Sequence, residues 1–131
     1  MKTYILKFIL LGFVLFVSCT EDNMDKDFHP SLGDDQKLAQ MGKEIEEFAK
    51  DKACTNGDGC RTMPMGAKAC GGPTNYVIYS LSKTDEKQLT EKVKKYTDFQ
   101  KELNIKYNRS SDCLFLSPPT VDCLNGVCAS K

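Results

Sequence analysis

The sequence predicts an α+β domain: two helices packed on a small, mostly antiparallel sheet, stapled by three disulfides. Three observations in its 131 residues lead there. Two segments repeat apolar residues at helical spacing. A short aromatic and β-branched run and an Asn-Gly turn mark strands. Six cysteines remain once a leader segment is set aside, an even number in a chain short enough to need covalent staples. The length allows one domain, and 18 Lys+Arg against 18 Asp+Glu excludes a polyanion binder held by bulk charge, so no nucleic-acid partner is expected.

The first helix is expected over Asp34–Lys52, where Leu38, Met41, Ile45 and Phe48 recur at steps of three, four and three. Asp34 and Asp35 suit its positive N-terminus. In Tyr76–Leu81 both alternating sets are largely apolar, which predicts a central strand covered on both faces. Ser82 or Thr84 can cap a second helix over Asp85–Tyr107, roughly 35 Å long, with the stripe Leu89, Val93, Tyr96, Phe99, Leu103 and Tyr107. Its Lys and acidic residues make a solvated face. Cys113–Ser117 reads as a further strand, ended by Pro118-Pro119. Asn125-Gly126 between apolar residues signals a two-residue type I′ hairpin, in which Leu124 faces Val127 and Cys123 faces Cys128. A bridge between these two cysteines and a separate partner for each both fit that register.

The six cysteines are Cys54, Cys60, Cys70, Cys113, Cys123 and Cys128. Their intervening lengths of five, nine, 42, nine and four residues contain no Cys-x-x-Cys and no His-rich partner, so disulfides are expected and zinc is not. Spacing alone leaves 15 pairings open.

Ahead of the domain, Lys2 and Lys7 precede ten residues without a charge, Phe8–Val17, and then Ser18-Cys19. That is the order of an export signal, and ten apolar residues are too few to cross a bilayer. Leu15-Phe-Val-Ser-Cys19 resembles the lipobox of bacterial lipoproteins, with Phe16 where a smaller aliphatic residue is usual. The resemblance implies cleavage after residue 18 and acylation of Cys19, a lasting hold on a membrane. Residues 19–33 hold Glu21, Asp22, Asp25 and Asp27 with few large apolar groups, a composition that does not offset its ordering entropy and reads as an acidic tether. Glu21-Asp22 also looks like the short acidic signal that sends some lipoproteins to the cell surface; an ordinary linker explains it as well. The domain organisation is therefore a signal peptide over 1–18, a lipidated tether over 19–33 and a stapled domain over 34–131.

Asp51–Pro73 holds five of the nine glycines and three cysteines but no apolar period, and is expected to be a stapled loop. Between Cys60 and Cys70 it offers two cations, Arg61 and Lys68, and two flexible apolar side chains, Met63 and Met65, with no anion. A clamped loop carrying these four residues resembles the reactive segment of a small protease inhibitor, in which rigidity lowers the entropy cost of docking. A connector whose Pro64 and Met65 fill the edge of the core is the plainer alternative. Met63 and Met65 are too few for a Cu(I) site. Asn56-Gly57-Asp58-Gly59 lacks the closing Glu of a calcium loop and reads as a turn. Gly71-Gly72-Pro73 lacks the Lys-Ser/Thr of a phosphate loop.

No catalytic site is expected. The one His, His29, lies in the tether, which leaves the domain without a Ser-His, Cys-His or His-metal arrangement. The acidic pairs Asp34/Asp35, Glu46/Glu47 and Asp85/Glu86 sit near helix ends or on solvated faces. No cofactor is implied.

Ala67-Lys-x-Cys-Gly-Gly-Pro73, Tyr76-x-x-Tyr-Ser80, a long helix, Ser111-Asp-Cys113 and a terminal Gly126-Val-Cys128 together resemble a group of small exported Cys-rich bacterial proteins and lipoproteins of uncharacterised function. The resemblance covers about Cys60 to Cys128. It implies an exported stapled domain and adds no catalytic residue. Similar members often lack equivalents of Cys54 and Cys123, which implies that these two pair with each other, in competition with a Cys123–Cys128 bridge. The expected function is a membrane-anchored outer-membrane lipoprotein acting as a non-enzymatic binding or inhibitory module. It would present the Cys54–Pro73 loop to an envelope or extracellular protein. A purely structural lipoprotein and a small protease inhibitor are the alternatives.

Overall fold

The computed structural model describes residues 30–131, so the predicted signal segment, Cys19 and the tether up to His29 lie outside the described residues. In chain order the elements are α1 (Pro30–Phe48), a 3-10 turn (Gly57–Gly59), β1 (Cys60–Met65), β2 (Asn75–Ser80), α2 (Glu86–Lys106), β3 (Val121–Leu124) and β4 (Val127–Ser130). The α+β class and its disulfide stapling are as the sequence predicts. The strands form two separate antiparallel pairs, β1–β2 and β3–β4, where one sheet was expected.

Helix α1 starts at Pro30, inside the expected tether. Proline suits the first helical position, where its missing N–H would have had no partner. The helix stops at Phe48, short of the expected Lys52, because the following residues pair elsewhere. Cys128 N–H donates to the Lys52 carbonyl (2.8 Å), Cys54 N–H donates to the Gly126 carbonyl (2.9 Å), and Ala53 bridges to Val127. The predicted stripe faces inward: Leu38 and Ile45 are buried, Met41 and Phe48 half-buried. Helix α2 follows its predicted stripe too, burying Leu89, Val93 and Leu103.

Its cap differs from expectation. The Asp85 carboxylate accepts from Gln88 N–H (3.0 Å) and Gln88 Nε2 (2.8 Å). A carboxylate there both satisfies a free N–H and meets the positive end of the helix dipole. The Thr84 hydroxyl is buried without a hydrogen-bond partner among the described residues, and the Ser82 hydroxyl bonds to that of Ser80 (3.0 Å).

Strand β1 occupies much of the segment expected as an irregular loop. It pairs with β2 from Cys60↔Ser80 to Met65↔Asn75. Its sequence, CRTMPM, has no alternation and contains a proline, and it forms because β2 supplies a complete ladder edge. Strand β2, expected to be central, has β1 as its one strand neighbour among the described residues, and Tyr76 and Ile78 are half-buried. Cys113–Ser117, expected as a further strand, is irregular. Side chains, not a ladder, take its carbonyls: Lys68 Nζ donates to Leu114 O (2.8 Å) and Tyr76 OH to Leu116 O (3.1 Å). Pro118 and Pro119 offer no N–H for a ladder to continue.

The core lies between the helices and the β1–β2 pair. It consists of Ile45, Ala49, Met65, Val77, Tyr79, Leu89 and Val93, flanked by Phe48, Met63 and Tyr96. Tyr79 OH donates to Glu86 Oε1 (2.5 Å), and burial, reinforced by that carboxylate, pushes its pKa up to about 12. It is a neutral donor throughout the physiological range. Past β1 the chain turns at Gly66, with φ of +81° and no space for a Cβ, which would lie 2.0 Å from the Thr74 hydroxyl. Polar residues on α2 receive the turning backbone. Gly66 N–H donates to Thr97 Oγ1 (3.0 Å), Ala67 N–H to Gln100 Oε1 (2.8 Å), and Asn104 Nδ2 to Ala67 O (2.9 Å).

The β3–β4 hairpin has the predicted register, Leu124↔Val127 and Cys123↔Cys128, and left-handed φ values at Asn125 (53°) and Gly126 (79°). Its facing cysteines take separate partners, Cys54–Cys123 and Cys60–Cys128, the first being the pairing that the family resemblance implies. The two bridges sit side by side, with the sulfurs of Cys54, Cys60 and Cys128 within 4.8 Å of one another. Among the described residues, no helix is long and apolar enough to cross a membrane.

Where α1 begins, it is tied to the end of α2. Lys106 Nζ and Tyr107 OH meet Asp34 Oδ2 at 2.7 and 2.8 Å, and Arg109 Nη2 meets Asp35 Oδ1 at 2.6 Å. The bonds from Lys106 and then Tyr107 hold the Asp34 carboxyl below its ordinary range. A depressed folded pKa stabilises the fold above the ordinary carboxylate value, and the contribution is lost as pH falls through the folded value. Amide protection over residues 34–38 and 103–109, taken relative to the intrinsic exchange rate at each pH, is therefore expected to fall on acidification below about pH 4, ahead of protection in β1 and β2. A uniform loss of protection across the domain would show that this corner carries no separate pH-sensitive contact.

Candidate functional site

Of the four residues predicted to form a binding loop, three lie on β1 and one beyond it. Arg61 is exposed, but Nη1 donates to the carbonyls of Asp58 (2.7 Å) and Cys60 (2.8 Å), folding the side chain back on its own turn. Met63 is half-buried against the core. Met65 is 2% exposed and belongs to the core itself. These positions do not form a presented loop, because ladder pairing to β2 draws the strand inward. Asn56–Gly59 is a turn, as expected, and the 3-10 helix occupies most of it.

Lys68 is the exception, and it leads to a cluster that the sequence analysis did not join. The chain folds tightly at residues 68–72: Lys68 N–H donates to Gly72 O (2.9 Å) and Gly71 N–H to Lys68 O (3.0 Å). Lys68 Nζ then reaches Asp112 Oδ1 (2.6 Å) as well as Leu114 O. Cys70 stands on this turn. Its N–H donates to Ser111 Oγ (3.3 Å), and its Sγ lies 3.3 Å from that hydroxyl and 3.1 Å from Asp112 O.

Cys113 is the neighbour of Cys70, and both are exposed thiols. Three bridges were expected; the structure closes two and sets these last two cysteines against each other. The hydrogen bond from Cys113, then that from Ser111, with the Lys68 charge nearby, pulls the Cys70 thiol below its ordinary pKa. The same bond to Cys70, with burial and the Asp112 charge, pushes Cys113 up.

Beyond Cys113 the chain forms a strap, Leu114-Phe-Leu116, with side chains 73%, 83% and 37% exposed. It is fixed by polar bonds to its carbonyls, so its side chains are free to face outward. Three large apolar residues before two prolines were the available signal, and they read equally well as a buried strand. The arrangement offers an apolar contact surface beside a pair of thiols. Comparison with protein-family models, with curated proteins and with solved structures finds no match.

Proposed function

We propose that this chain is a membrane-anchored envelope lipoprotein, held through an acylated Cys19, that acts as a non-enzymatic binding module. Its contact surface is the Leu114–Leu116 strap together with the adjoining Lys68–Pro73 turn, and its partner is an envelope or extracellular protein presenting an apolar surface. The observation that carries this is the exposure of Leu114 and Phe115 on a segment whose backbone is pinned by Lys68 and Tyr76. Pinning lowers the entropy lost on docking, and a fixed aromatic beside an aliphatic side chain is the kind of anchor on which binding energy concentrates. Two disulfides support export to an oxidising compartment. The reactive-loop reading loses its main support, since three of its four residues, Arg61, Met63 and Met65, lie on a strand paired with β2.

Capture from the native envelope with the full chain tests the proposal. Leu114→Ser with Phe115→Ser is expected to reduce recovery of the partner about tenfold or more. The same variant should shift the thermal midpoint little, because both side chains are solvated in the free protein. Equal recovery by wild type and variant, or no specific partner with either, would favour a purely structural lipoprotein.

A further inference from the structure

Four of the six cysteines of the domain close two bridges, at Cys54–Cys123 and Cys60–Cys128, with Cys60 and Cys128 buried. The remaining two are more open to solvent than any of these, since Cys54 and Cys123 are half-buried. Cys70 and Cys113 are exposed. Cys70 stands beside Gly71 and Gly72, both at positive φ, and Cys113 lies in a segment outside any helix or strand. Neither element is locked by a ladder against the small movement that bonding their sulfurs requires.

We infer that Cys70 and Cys113 form a third, reversible disulfide that opens and closes by exchange with low-molecular-weight thiols, while the other two bridges stay closed. In opening, a small thiolate attacks Cys113 Sγ. A bond forms between the two sulfurs, the Cys70–Cys113 bond breaks, and its electron pair leaves on Cys70. A second small thiolate then attacks the sulfur carried by Cys113, releasing the small molecule's own disulfide and a Cys113 thiolate, which takes a proton from water. Two small thiols are oxidised and one protein disulfide is reduced. Closure runs the sequence backwards, with a low-molecular-weight disulfide as oxidant.

The direction of attack follows from the surroundings. Exchange is faster when the departing sulfur is the better-stabilised thiolate. Cys70 has the Ser111 hydroxyl at 3.3 Å and the Lys68 charge nearby, and neither contact runs through Cys113. Cys113 faces the Asp112 carboxylate, which opposes a negative sulfur. Opening unties the chain one residue before Leu114, so the thiol state sets how firmly the strap is held. The exchange itself does not depend on the binding reading.

The test uses the full chain in detergent, first oxidised with glutathione disulfide and then titrated with reduced glutathione, acid-quenched, alkylated and mapped by peptide mass. The expected result is closure of all six cysteines. Cys70 and Cys113 should then open at a glutathione concentration about tenfold or more below that for the other four. The transient adduct should sit on Cys113, and Ser111→Ala should slow opening severalfold with an unchanged thermal midpoint. The inference is overturned if Cys70 and Cys113 stay alkylatable after oxidation, if all three bridges open together, if the adduct forms on Cys70, or if Ser111→Ala opens at the wild-type rate.

Discussion

Replacing Cys60 and Cys128 together by Ala is expected to lower stability by about 3 kcal/mol, a midpoint fall of roughly 12–20 °C for a domain of this size. Considered alone, a bridge across a sequence separation of 68 would withdraw about 4 kcal/mol of entropy from the unfolded chain. Cys54–Cys123, at a separation of 69, already closes nearly the same loop. With it intact, the remaining ring runs only through the short arms Cys54–Cys60 and Cys123–Cys128, roughly a dozen residues. The converse variant, Cys54→Ala with Cys123→Ala, should cost about the same. Losing both bridges should cost about 7 kcal/mol, more than the two single losses added, because whichever is removed second takes the full loop with it. That sum rivals the whole net stability of a small domain, which would then be unfolded at ambient temperature. Thermal and urea unfolding of the three variants checks this. A Cys60/Cys128 variant within about 1 kcal/mol of wild type would show that loop closure is not what these bridges contribute.

Met65→Ala is expected to cost about 2–5 kcal/mol, since it opens a cavity in the buried cluster that includes Ile45, Val77 and Tyr79. Met63→Ala, at the half-buried flank of the same cluster, should cost about half as much, and Arg61→Ala should fall within about 0.5 kcal/mol. The gradient matters more than any one value. It separates a strand that turns inward at Met65 from an exposed recognition loop, in which all three changes would leave stability alone. Denaturant midpoints with unchanged slope give the measurement.

The helices were legible because each carries a period that only one secondary structure satisfies: Leu38, Met41, Ile45 and Phe48 on α1, and Leu89, Val93 and Leu103 on α2. Asn125-Gly126 was legible for a similar reason, since few other dipeptides accept two left-handed residues in succession. Strand β1 was not, because CRTMPM has no alternation; its strand character comes from the partner across the ladder. The opposite error fell on Cys113–Ser117. Leu-Phe-Leu has strand composition, but composition does not reveal that a lysine and a tyrosine far away in sequence will occupy its carbonyls. The thiol cluster joins residues 68–70 to residues 111–113, and local pattern cannot report a meeting of that range. The Cys54–Cys123 pairing came through family resemblance, as the hairpin register left it open.

The ties of Asp34 to Lys106 and Tyr107, and of Asp35 to Arg109, also decide how the domain answers tension. A pull on the chain ahead of Pro30, opposed by a grip on the strap, meets those polar contacts early, since Arg109 lies five residues before Leu114. Once they and the packing of α1 against α2 part, force runs along α1 to Cys54, through sulfur to Cys123, and back to the strap. The polypeptide between Cys54 and the strap, with β1, β2 and α2, lies off that covalent line. The helix corner thus acts as a fuse, yielding under strain and re-forming on release, behind which a bonded safety cord takes over.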